Sequence, residues 1–293
     1  MKVSAIVCTI GRETLKECLT SLTKQDFDDL EIIVVSFDEK VKRFVDEDMK
    51  FVFSSKANVC YQRNLGILKS EGDFVCFIDD DAIASEKWVS NLMKGFVSKE
   101  VACVGGKIEL LLEGEIEPWL KKIDENLLRS FLGATLLGSE RKEIDKPLLW
   151  GSNICFRKEV FEDVGYFDEA MGRTPHLPLY NEEIELQQRL LKKGYKLVYI
   201  PEAIVWHRVF KERLSRDFFL QRAFWQGYSE VLVARRNENF KEFLKLGKNE
   251  VMRFLLQKRV FENLFDNLWE KNFNQKIFRY KEIGRIVSFL ERV

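Results

Sequence analysis

The chain has 293 residues, of which 46% are hydrophobic and 32% are charged. This composition supplies enough apolar material for a sizeable core and excludes a largely disordered protein. Lys and Arg together number 47, as do Asp and Glu, so the net charge is zero and the basic excess of a general nucleic-acid binder is absent.

The first hundred residues alternate short apolar runs with amphipathic segments. Apolar strands that alternate with amphipathic helices predict a mostly parallel α/β sheet covered by helices on both faces. The predicted strands are residues 3–8, 30–35, 51–53, 74–78 and 101–111, and the predicted helices are residues 13–22, 58–69 and 87–97.

The remaining chain continues this alternation and then becomes helical. Residues 113–146 read as a polar connection with one helix over 119–131, followed by a strand over 148–156. A helix over 182–193 ends at Gly194, and Pro201 separates two short strands over 195–200 and 203–206. Beyond residue 208, helical spacing of apolar residues predicts helices over 218–233, 240–246 and 251–268.

The C-terminal part differs from the rest in charge. From Arg208 onward there are 19 basic and 11 acidic residues, a net charge of +8, which leaves −8 for the preceding part. The same tail holds 12 of the 24 phenylalanines. We expect it either to pack on its own domain or on a second subunit, or to lie on an anionic membrane surface.

Cysteines and hydropathy predict a cytosolic protein. The six cysteines contain no C-x-x-C pair and fall largely inside apolar patterns, which is typical of reduced core thiols. The apolar N-terminal run is too short for a secretory signal, and no stretch approaches the ~18 apolar residues that a membrane helix needs.

Three adjacent aspartates, Asp79, Asp80 and Asp81, directly follow a buried predicted strand. Ligands of open α/β sheets bind at the carboxyl ends of strands, and adjacent carboxylates repel one another unless a cation joins them. The triplet therefore predicts a divalent cation with phosphate ligands, and the alternative is a solvated acidic turn.

Residues 9–13 link the first strand to the first helix, at the other natural contact point for a nucleotide. Alone this segment is equally typical of an ordinary turn. The chain has no G-x-G-x-x-G and no G-x-x-x-x-G-K-[ST] motif, which argues against a dinucleotide dehydrogenase and a P-loop ATPase.

A series of short motifs occurs in the order and spacing of one enzyme family. They cover residues 3–9, 31–35, 62–67, 77–81, 150–157, 164–169, 172–173, 181–186 and 201–207. On these motifs the chain resembles family 2 glycosyltransferases of the GT-A fold, over residues 1–208. The resemblance implies a Rossmann-like catalytic domain over 1–208, with a nucleotide-sugar-binding half over 1–112 and an acceptor-binding half over 113–208, and a helical C-terminal region over 209–293.

The same resemblance implies a donor that is a nucleoside-diphosphate sugar (UDP-, GDP- or dTDP-linked) and a cofactor that is Mn²⁺ or Mg²⁺. Asp79–Asp81 matches the D-x-D motif, so Asp79 is expected at the ribose and Asp81 at the metal. His207 stands where the family often has a metal-ligating or pyrophosphate-contacting histidine. The residues that match nucleotide-sugar-binding segments are Thr9, Gly11, Arg12, Glu13, Arg63, Asn64, Asp79 and Asp80, with Asp38 as a shifted substitute for the acids that usually follow the second strand.

Residues 181–186 resemble the family's acidic motif, with Glu183 at the position of the catalytic base. A general base must take the proton of the attacking hydroxyl. Because a helix N-terminus favours an ionised carboxylate, we expect Glu183 to be unprotonated near neutral pH. Glu182 is the alternative base, and a role of both acids in complementing the helix dipole is the structural alternative.

Trp150, Gly151 and Asn153 fit a platform for the acceptor sugar, since they offer an aromatic face, a close approach and an amide. The alternative is a core tryptophan beside a strand-end turn. His176 lies in a segment of loop composition before the acidic motif and is expected to be solvated.

Together these features predict an inverting, metal-dependent glycosyltransferase, most typically a hexosyltransferase, that acts in polysaccharide, lipid-linked or glycoprotein glycan synthesis. The expected acceptor is a glycan or a lipid-linked sugar, and the expected location is the cytoplasm, with the inner face of the membrane as an alternative. A sugar-phosphate nucleotidyltransferase is the nearest rival, although its Gly-rich loop after the first strand is missing. A non-catalytic carbohydrate- or membrane-binding relative is the other, although it should have lost the aspartates.

Overall fold

The computed structural model describes residues 1–114, 116–236 and 273–291. Its centre is a nine-stranded sheet built around parallel neighbours in the N-terminal half. The strands are β1 (Val3–Thr9), β2 (Leu30–Ser36), β3 (Lys50–Phe53), β4 (Phe74–Asp79), β5 (Ala82–Ala84), β6 (Val101–Leu112), β7 (Lys142–Ile144), β8 (Ile154–Arg157) and β9 (Lys196–Val209). They follow the order β3-β2-β1-β4-β8-β6-β9-β5, with β7 paired to β9.

Helices cover both faces of this sheet. They are α1 (Leu15–Leu22), α2 (Val59–Lys69), α3 (Trp88–Met93), α4 (Glu125–Phe131), α5 (Val160–Val164), α6 (Glu182–Lys192), α7 (Arg216–Arg236) and α8 (Phe273–Leu290). Buried residues of α1 and α3 form one core with the sheet, and those of α2, α5 and α6 form a second core on the other face. A third apolar cluster lies between α4, α7 and α8. The mostly parallel sheet between helices, with helices added at the C-terminus, confirms the predicted fold class.

Two predicted elements are shorter than expected because side chains take over their backbone hydrogen bonds. The helix over 119–131 divides at Asp124, whose carboxylate accepts the backbone N–H of Leu127 and starts α4 there. The strand over 148–156 begins only at Ile154, since both backbone groups of Leu149 bind the side-chain amide of Gln187 instead of a neighbouring strand.

One predicted interruption is absent. β9 runs without a break past Pro201, and the prediction of two strands there is wrong. Gly106 pairs with Ile200 while Lys107 pairs with Ile204, so β6 skips the residues around the proline, which has no N–H to donate.

Several smaller elements escaped prediction. β5, β7 and α5 are among them, each of five residues or fewer. α7 extends the predicted helix over 218–233 at both ends, and the predicted helices over 240–246 and 251–268 lie outside the described residues.

The two C-terminal helices pack closely against each other. Gly227 of α7 and Gly284 of α8 lie at their crossing, where a side chain on either would overlap a backbone carbonyl of the other helix.

All six cysteines are free, and five of them are buried. Within the described ranges, none of the helices combines the length and the hydropathy that crossing a bilayer requires.

Candidate functional site

A cavity of about 450 Å³ opens at the carboxyl ends of β1 and β4. These strands are parallel neighbours with Cys8 paired to Asp79, so the residues that follow them enter the cavity together. The cavity brings together most of the predicted site residues: Thr9, Arg12, Arg63, Asp79, Asp80, Asp81, Trp150, Gly151, Glu182, Glu183 and His207.

Asp80 is buried, and the pKa of its carboxyl group is raised. Its carboxylate accepts a hydrogen bond of 2.5 Å from the Thr9 hydroxyl. Burial, together with the neighbouring charge of Asp81, raises the pKa of Asp80 to about 6. Asp80 therefore faces the end of β1 rather than open solvent.

Asp81 is also buried, and two arginines and a histidine lie around its carboxylate. Arg12 donates to its Oδ2 at 2.7 Å, Arg213 lies 3.4 Å from the same oxygen, and Nε2 of His207 lies 3.3 Å from Oδ1. Although burial opposes its charge, His207, Arg213 and Arg12 hold the pKa of Asp81 well below its usual range. Asp81 is thus the stronger acid of the triplet's buried pair.

Asp79, Asp81 and His207 form a candidate metal centre, with one ligand atom from each within 4.8 Å of the others. The pairing of β5 with β9 produces this cluster, because it sets His207 opposite Ala82, the residue after Asp81. Two carboxylates and an imidazole form a donor set that suits Mn²⁺ or Mg²⁺, and the half-exposed Asp79 leaves a side open to a substrate. The residues present therefore fit the predicted cation.

Glu182 begins α6 as one half of a buried ion pair. Its carboxylate accepts a hydrogen bond of 2.7 Å from Arg63, and both side chains are about 6% exposed. Burial opposes the charge of Glu182, yet Arg63 and Arg173 hold its pKa below the usual value. Glu182 is therefore ionised, and its carboxylate is already paired with the guanidinium of Arg63.

Glu183 has the opposite environment. One of its oxygens accepts the Gly151 N–H at 3.4 Å, whereas Oε2 is buried without a partner among the described residues. Burial, reinforced by the charge of Glu182, raises the pKa of Glu183 to about 8. The expectation that the helix N-terminus keeps Glu183 unprotonated near neutral pH is wrong, because desolvation outweighs the dipole.

The backbone before α6 is set by Asn181. Asn181 adopts a left-handed conformation with φ of 73°, which asparagine tolerates better than most residues. Its side-chain oxygen accepts a hydrogen bond from Gln226 of α7. The start of α6 is thus held by a helix of the predicted C-terminal region.

The predicted acceptor platform divides into two parts. Trp150 and Gly151 line the cavity, and a side chain at Gly151 would collide with the guanidinium of Arg63. Asn153 is fully buried, and its amide is committed to Trp88 and to the backbone carbonyls of Lys107 and Ala203. Its amide thus supports the platform from within the sheet.

Four residues predicted for the donor pocket lie outside the cavity lining: Gly11, Glu13, Asp38 and Asn64. Glu13 is exposed and pairs with Arg43, while Asn64 holds both backbone groups of Phe167. Asp38 caps the turn that follows it and lies near Gly11, at the outer edge of the β1–α1 turn.

The cavity also contains residues to which the sequence assigned no role in the site, although Gln62 and Arg173 lie within the motifs at 62–67 and 172–173. They are cationic, aromatic or amide side chains of α2, of the segment before α6, and of the helical region after residue 209: Gln62, Arg173, Tyr180, Arg213, Phe218 and Arg222. Arg213 and Arg222 resemble solvent-facing charges of an amphipathic region, so helical spacing gave no signal for them. His176 is exposed, as expected for its loop.

Comparison with known proteins gives a family and several relatives. The family model described as glycosyl transferase family 2 matches residues 4–165. A glucosyl-dolichyl phosphate glucuronosyltransferase of Haloferax volcanii is 28% identical over 84% of this chain and 82% of its own length.

Two further relatives share smaller parts of their length with this chain. A pre-mycofactocin glycosyltransferase of Mycobacterium tuberculosis is 31% identical over 59% of this chain and 34% of its own length. A poly-beta-1,6-N-acetyl-D-glucosamine synthase of Staphylococcus aureus is 26% identical over 90% of this chain and 61% of its own length. All three relatives are named for building or modifying glycosylated products.

Proposed function

The chain belongs to glycosyltransferase family 2, and from that premise we propose that it moves a sugar from a nucleoside-diphosphate donor to an acceptor hydroxyl, with inversion at the anomeric carbon. One observation carries this proposal. A single cavity contains both a cluster fit for a cation, made of Asp79, Asp81 and His207, and a buried carboxylate with a free oxygen, that of Glu183.

The donor diphosphate binds at the end of β4. Mn²⁺ or Mg²⁺ held by Asp79, Asp81 and His207 would neutralise the charge that develops on the leaving diphosphate. Arg12 and Arg213 already lie beside Asp81, and they supply further positive charge at the same place. Thr9 fixes Asp80 at the edge of this pocket.

Glu183 acts as the general base. The acceptor oxygen forms a bond to the anomeric carbon while the bond from that carbon to the diphosphate oxygen breaks, and its electron pair leaves with the diphosphate. The proton of the acceptor hydroxyl passes to Oε2 of Glu183, the oxygen without a partner among described groups. A pKa of about 8 makes this carboxylate a stronger base than an ordinary glutamate.

Glu182 supports the base instead of replacing it. Its carboxylate is bound to Arg63 at 2.7 Å, so accepting a proton would break a buried ion pair. Its negative charge also raises the pKa of Glu183. We therefore assign Glu183 as the base and Glu182 as a positioning residue.

The acceptor is proposed to be a lipid-linked sugar. The relative that shares 82% of its length with this chain is named for an acceptor linked to dolichyl phosphate. A lipid-linked acceptor places the reaction at the cytoplasmic face of a membrane, with the sheet domain over 1–208 as the catalytic domain. Residues of α7 complete the acceptor side of its cavity.

A panel of UDP-, GDP- and dTDP-sugars, incubated with and without Mn²⁺, tests this function. We expect slow metal-dependent hydrolysis of one donor, and transfer with inverted configuration when a glycolipid acceptor is added. Synthesis of a nucleotide sugar from a nucleoside triphosphate and a sugar phosphate would instead identify the nucleotidyltransferase alternative. A protein that neither binds nor hydrolyses any donor would be a non-catalytic relative.

A further inference from the structure

Arg222 of α7 is a buried cation that lacks a carboxylate partner among the described residues. It is 8% exposed, lines the cavity and donates one hydrogen bond of 2.6 Å, to the neutral side chain of Gln226. Burial, with the nearby charge of Arg173, lowers the pKa of Arg222. A buried charge is costly when nothing neutralises it, so this arginine needs an anion that enters the cavity.

A second arginine and an aromatic ring complete the surroundings. The guanidinium carbon of Arg222 lies 3.5 Å from the ring centroid of Tyr180, and that of Arg173 lies 5.0 Å from the same centroid. Arg173 also lines the cavity, and among the described residues its side chain donates one hydrogen bond, a long one of 3.4 Å to the carbonyl of Leu179. Two guanidinium groups thus converge on one ring. The exposed Arg173 also acts on the charge of Glu182, whereas the buried Arg222 has no carboxylate partner among the described residues.

This pair of arginines differs from the cations at the aspartate triplet. Arg12 and Arg213 are both within salt-bridge distance of Asp81, and they belong to the donor side. Tyr180, in contrast, precedes Asn181 and the two glutamates of α6, and Gln226 links Arg222 to Asn181. The two arginines therefore lie on the side of the cavity where the base must meet the acceptor.

Apolar side chains continue the wall beyond Arg222. The ring of Phe131 lies 5.6 Å from the Arg222 guanidinium, and Leu132 and Phe218 line the same cavity. An anion bound by the arginines would therefore have apolar surface next to it. A free sugar offers neither feature, whereas a phosphate esterified to a hydrocarbon chain offers both.

We propose that Arg222 and Arg173 form a subsite for the phosphate ester of a lipid-linked acceptor, with its hydrocarbon chain along Phe131, Leu132 and Phe218. This inference rests on the proposed function, because it assumes that the acceptor meets Glu183. Arginine suits the role, since its planar fork binds phosphate oxygens in a bidentate manner. The subsite holds the acceptor by a group that does not react, which leaves its hydroxyl free to approach the base.

Calorimetric titration of the full chain with n-octyl phosphate, in EDTA to exclude metal-dependent binding, tests the subsite. We expect the affinity for octyl phosphate to fall at least tenfold in Arg222→Gln and in Arg173→Gln, and less in Arg222→Lys. Arg235→Gln, on the same helix but outside the cavity lining, is the matched control and should bind as the unaltered protein does. Octyl phosphate should also bind about tenfold more tightly than inorganic phosphate, because only the ester reaches the apolar wall.

Two further measurements keep the result interpretable. Arg222→Gln should unfold at the same or a higher temperature, since it removes an unneutralised buried charge, whereas a purely structural arginine would lower the unfolding temperature. Binding of UDP, GDP and dTDP in Mn²⁺ should be unchanged in all four variants.

Three outcomes would overturn the proposal: unaltered octyl phosphate affinity in both glutamine variants, equal affinity for octyl and inorganic phosphate, or an equal loss of nucleotide affinity, which would assign the arginines to the donor. If the unaltered protein binds no nucleotide at all, the proposed function fails, but the octyl phosphate titration still decides the subsite.

Discussion

Two pairs of adjacent acids face the same cavity, one at the end of β4 and one at the start of α6, and in each pair the two acids differ in pKa. Asp81 is held ionised by His207 and two arginines, while burial raises the pKa of Asp80 to about 6. Glu182 is held ionised by Arg63 and Arg173, while burial raises the pKa of Glu183 to about 8. The position of the cations, and not the type of acid, decides which member of each pair has the lower pKa.

The two regions use this difference in different ways. At β4 the acid with the lower pKa belongs to the candidate metal centre, and the acid with the raised pKa accepts a hydrogen bond from Thr9. At α6 the acid with the lower pKa is bound to Arg63, and the acid with the raised pKa lines the cavity and has a buried oxygen without a partner among the described residues. Metal binding thus calls for the low-pKa member and base catalysis for the high-pKa member.

The largest expected effect is the loss of turnover when Glu183, the acid with the raised pKa at the start of α6, is replaced. Glu183→Gln keeps the shape and the Gly151 contact but cannot accept a proton, so turnover should fall by about 10²- to 10⁴-fold. Donor affinity, measured by titration with the nucleotide sugar, should stay within about twofold. Turnover near that of the unaltered protein would remove Glu183 from the role of base.

The two aspartates at the end of β4, Asp80 and Asp81, should differ in their effect on metal-dependent binding of the nucleoside diphosphate. Asp81→Asn should abolish the part of the nucleoside-diphosphate affinity that depends on Mn²⁺, an effect of about tenfold or more, because it removes a ligand from the candidate centre. Asp80→Asn retains a hydrogen-bond acceptor for Thr9 and serves as the matched control, with most of the metal dependence kept. Equal losses in both variants would show that the two aspartates do not differ in role.

The ion pair between Glu182 and Arg63 at the start of α6 should contribute measurably to the unfolding free energy. Glu182→Gln leaves the buried guanidinium of Arg63 without its carboxylate, which costs about 3 kcal/mol of unfolding free energy. Glu183→Gln should cost much less, since within the described part of the chain no cation is in direct contact with its carboxylate. Chemical denaturation of both variants at pH 7 measures the difference, and a larger loss in Glu183→Gln would reverse our assignment.

Much of the fold follows from the sequence because local patterns determine it. The strands β1, β2 and β4 end within one residue of their predicted ends, since each is an apolar run followed by polar residues. Residues 148–153 were predicted as strand for the same reason, but a glutamine from α6 binds Leu149 and draws the segment out of the sheet. A partner 38 positions away leaves no trace in the local pattern.

In the candidate site, contacts between residues that are far apart in the sequence matter even more. Motif positions gave Asp81, His207 and Glu183, all of which line the cavity. The protonation of Glu183 could not be predicted, because it depends on a carboxylate whose charge is maintained by Arg63 of α2. Arg222 was missed because, in a helical pattern, a buried arginine and an exposed one look alike.

A further expected effect concerns the dependence of the unfolding free energy on pH. The folded state holds the proton of Glu183 up to a pKa of about 8, whereas the unfolded chain releases it near 4.5. The folded state therefore binds more protons in this interval, and the contribution of Glu183 to the unfolding free energy decreases as the pH rises from about 4.5 to about 8, by at most about 1.4 kcal/mol per pH unit. In Glu183→Gln this contribution should be absent, and the difference between the two denaturation profiles measures it.

The pH dependence of kcat/KM tests the central claim most directly, because it reports the ionisation of the base in the free enzyme. With the donor identified and Mn²⁺ in excess, our account predicts a rise of tenfold per pH unit that levels off at a pH of about 8, the pKa of Glu183. Glu182→Gln should move this limb to lower pH, since it removes the charge that helps to raise that pKa. A profile that is already level at pH 6, as an ordinary glutamate would give, would contradict the assignment of Glu183 as a buried base.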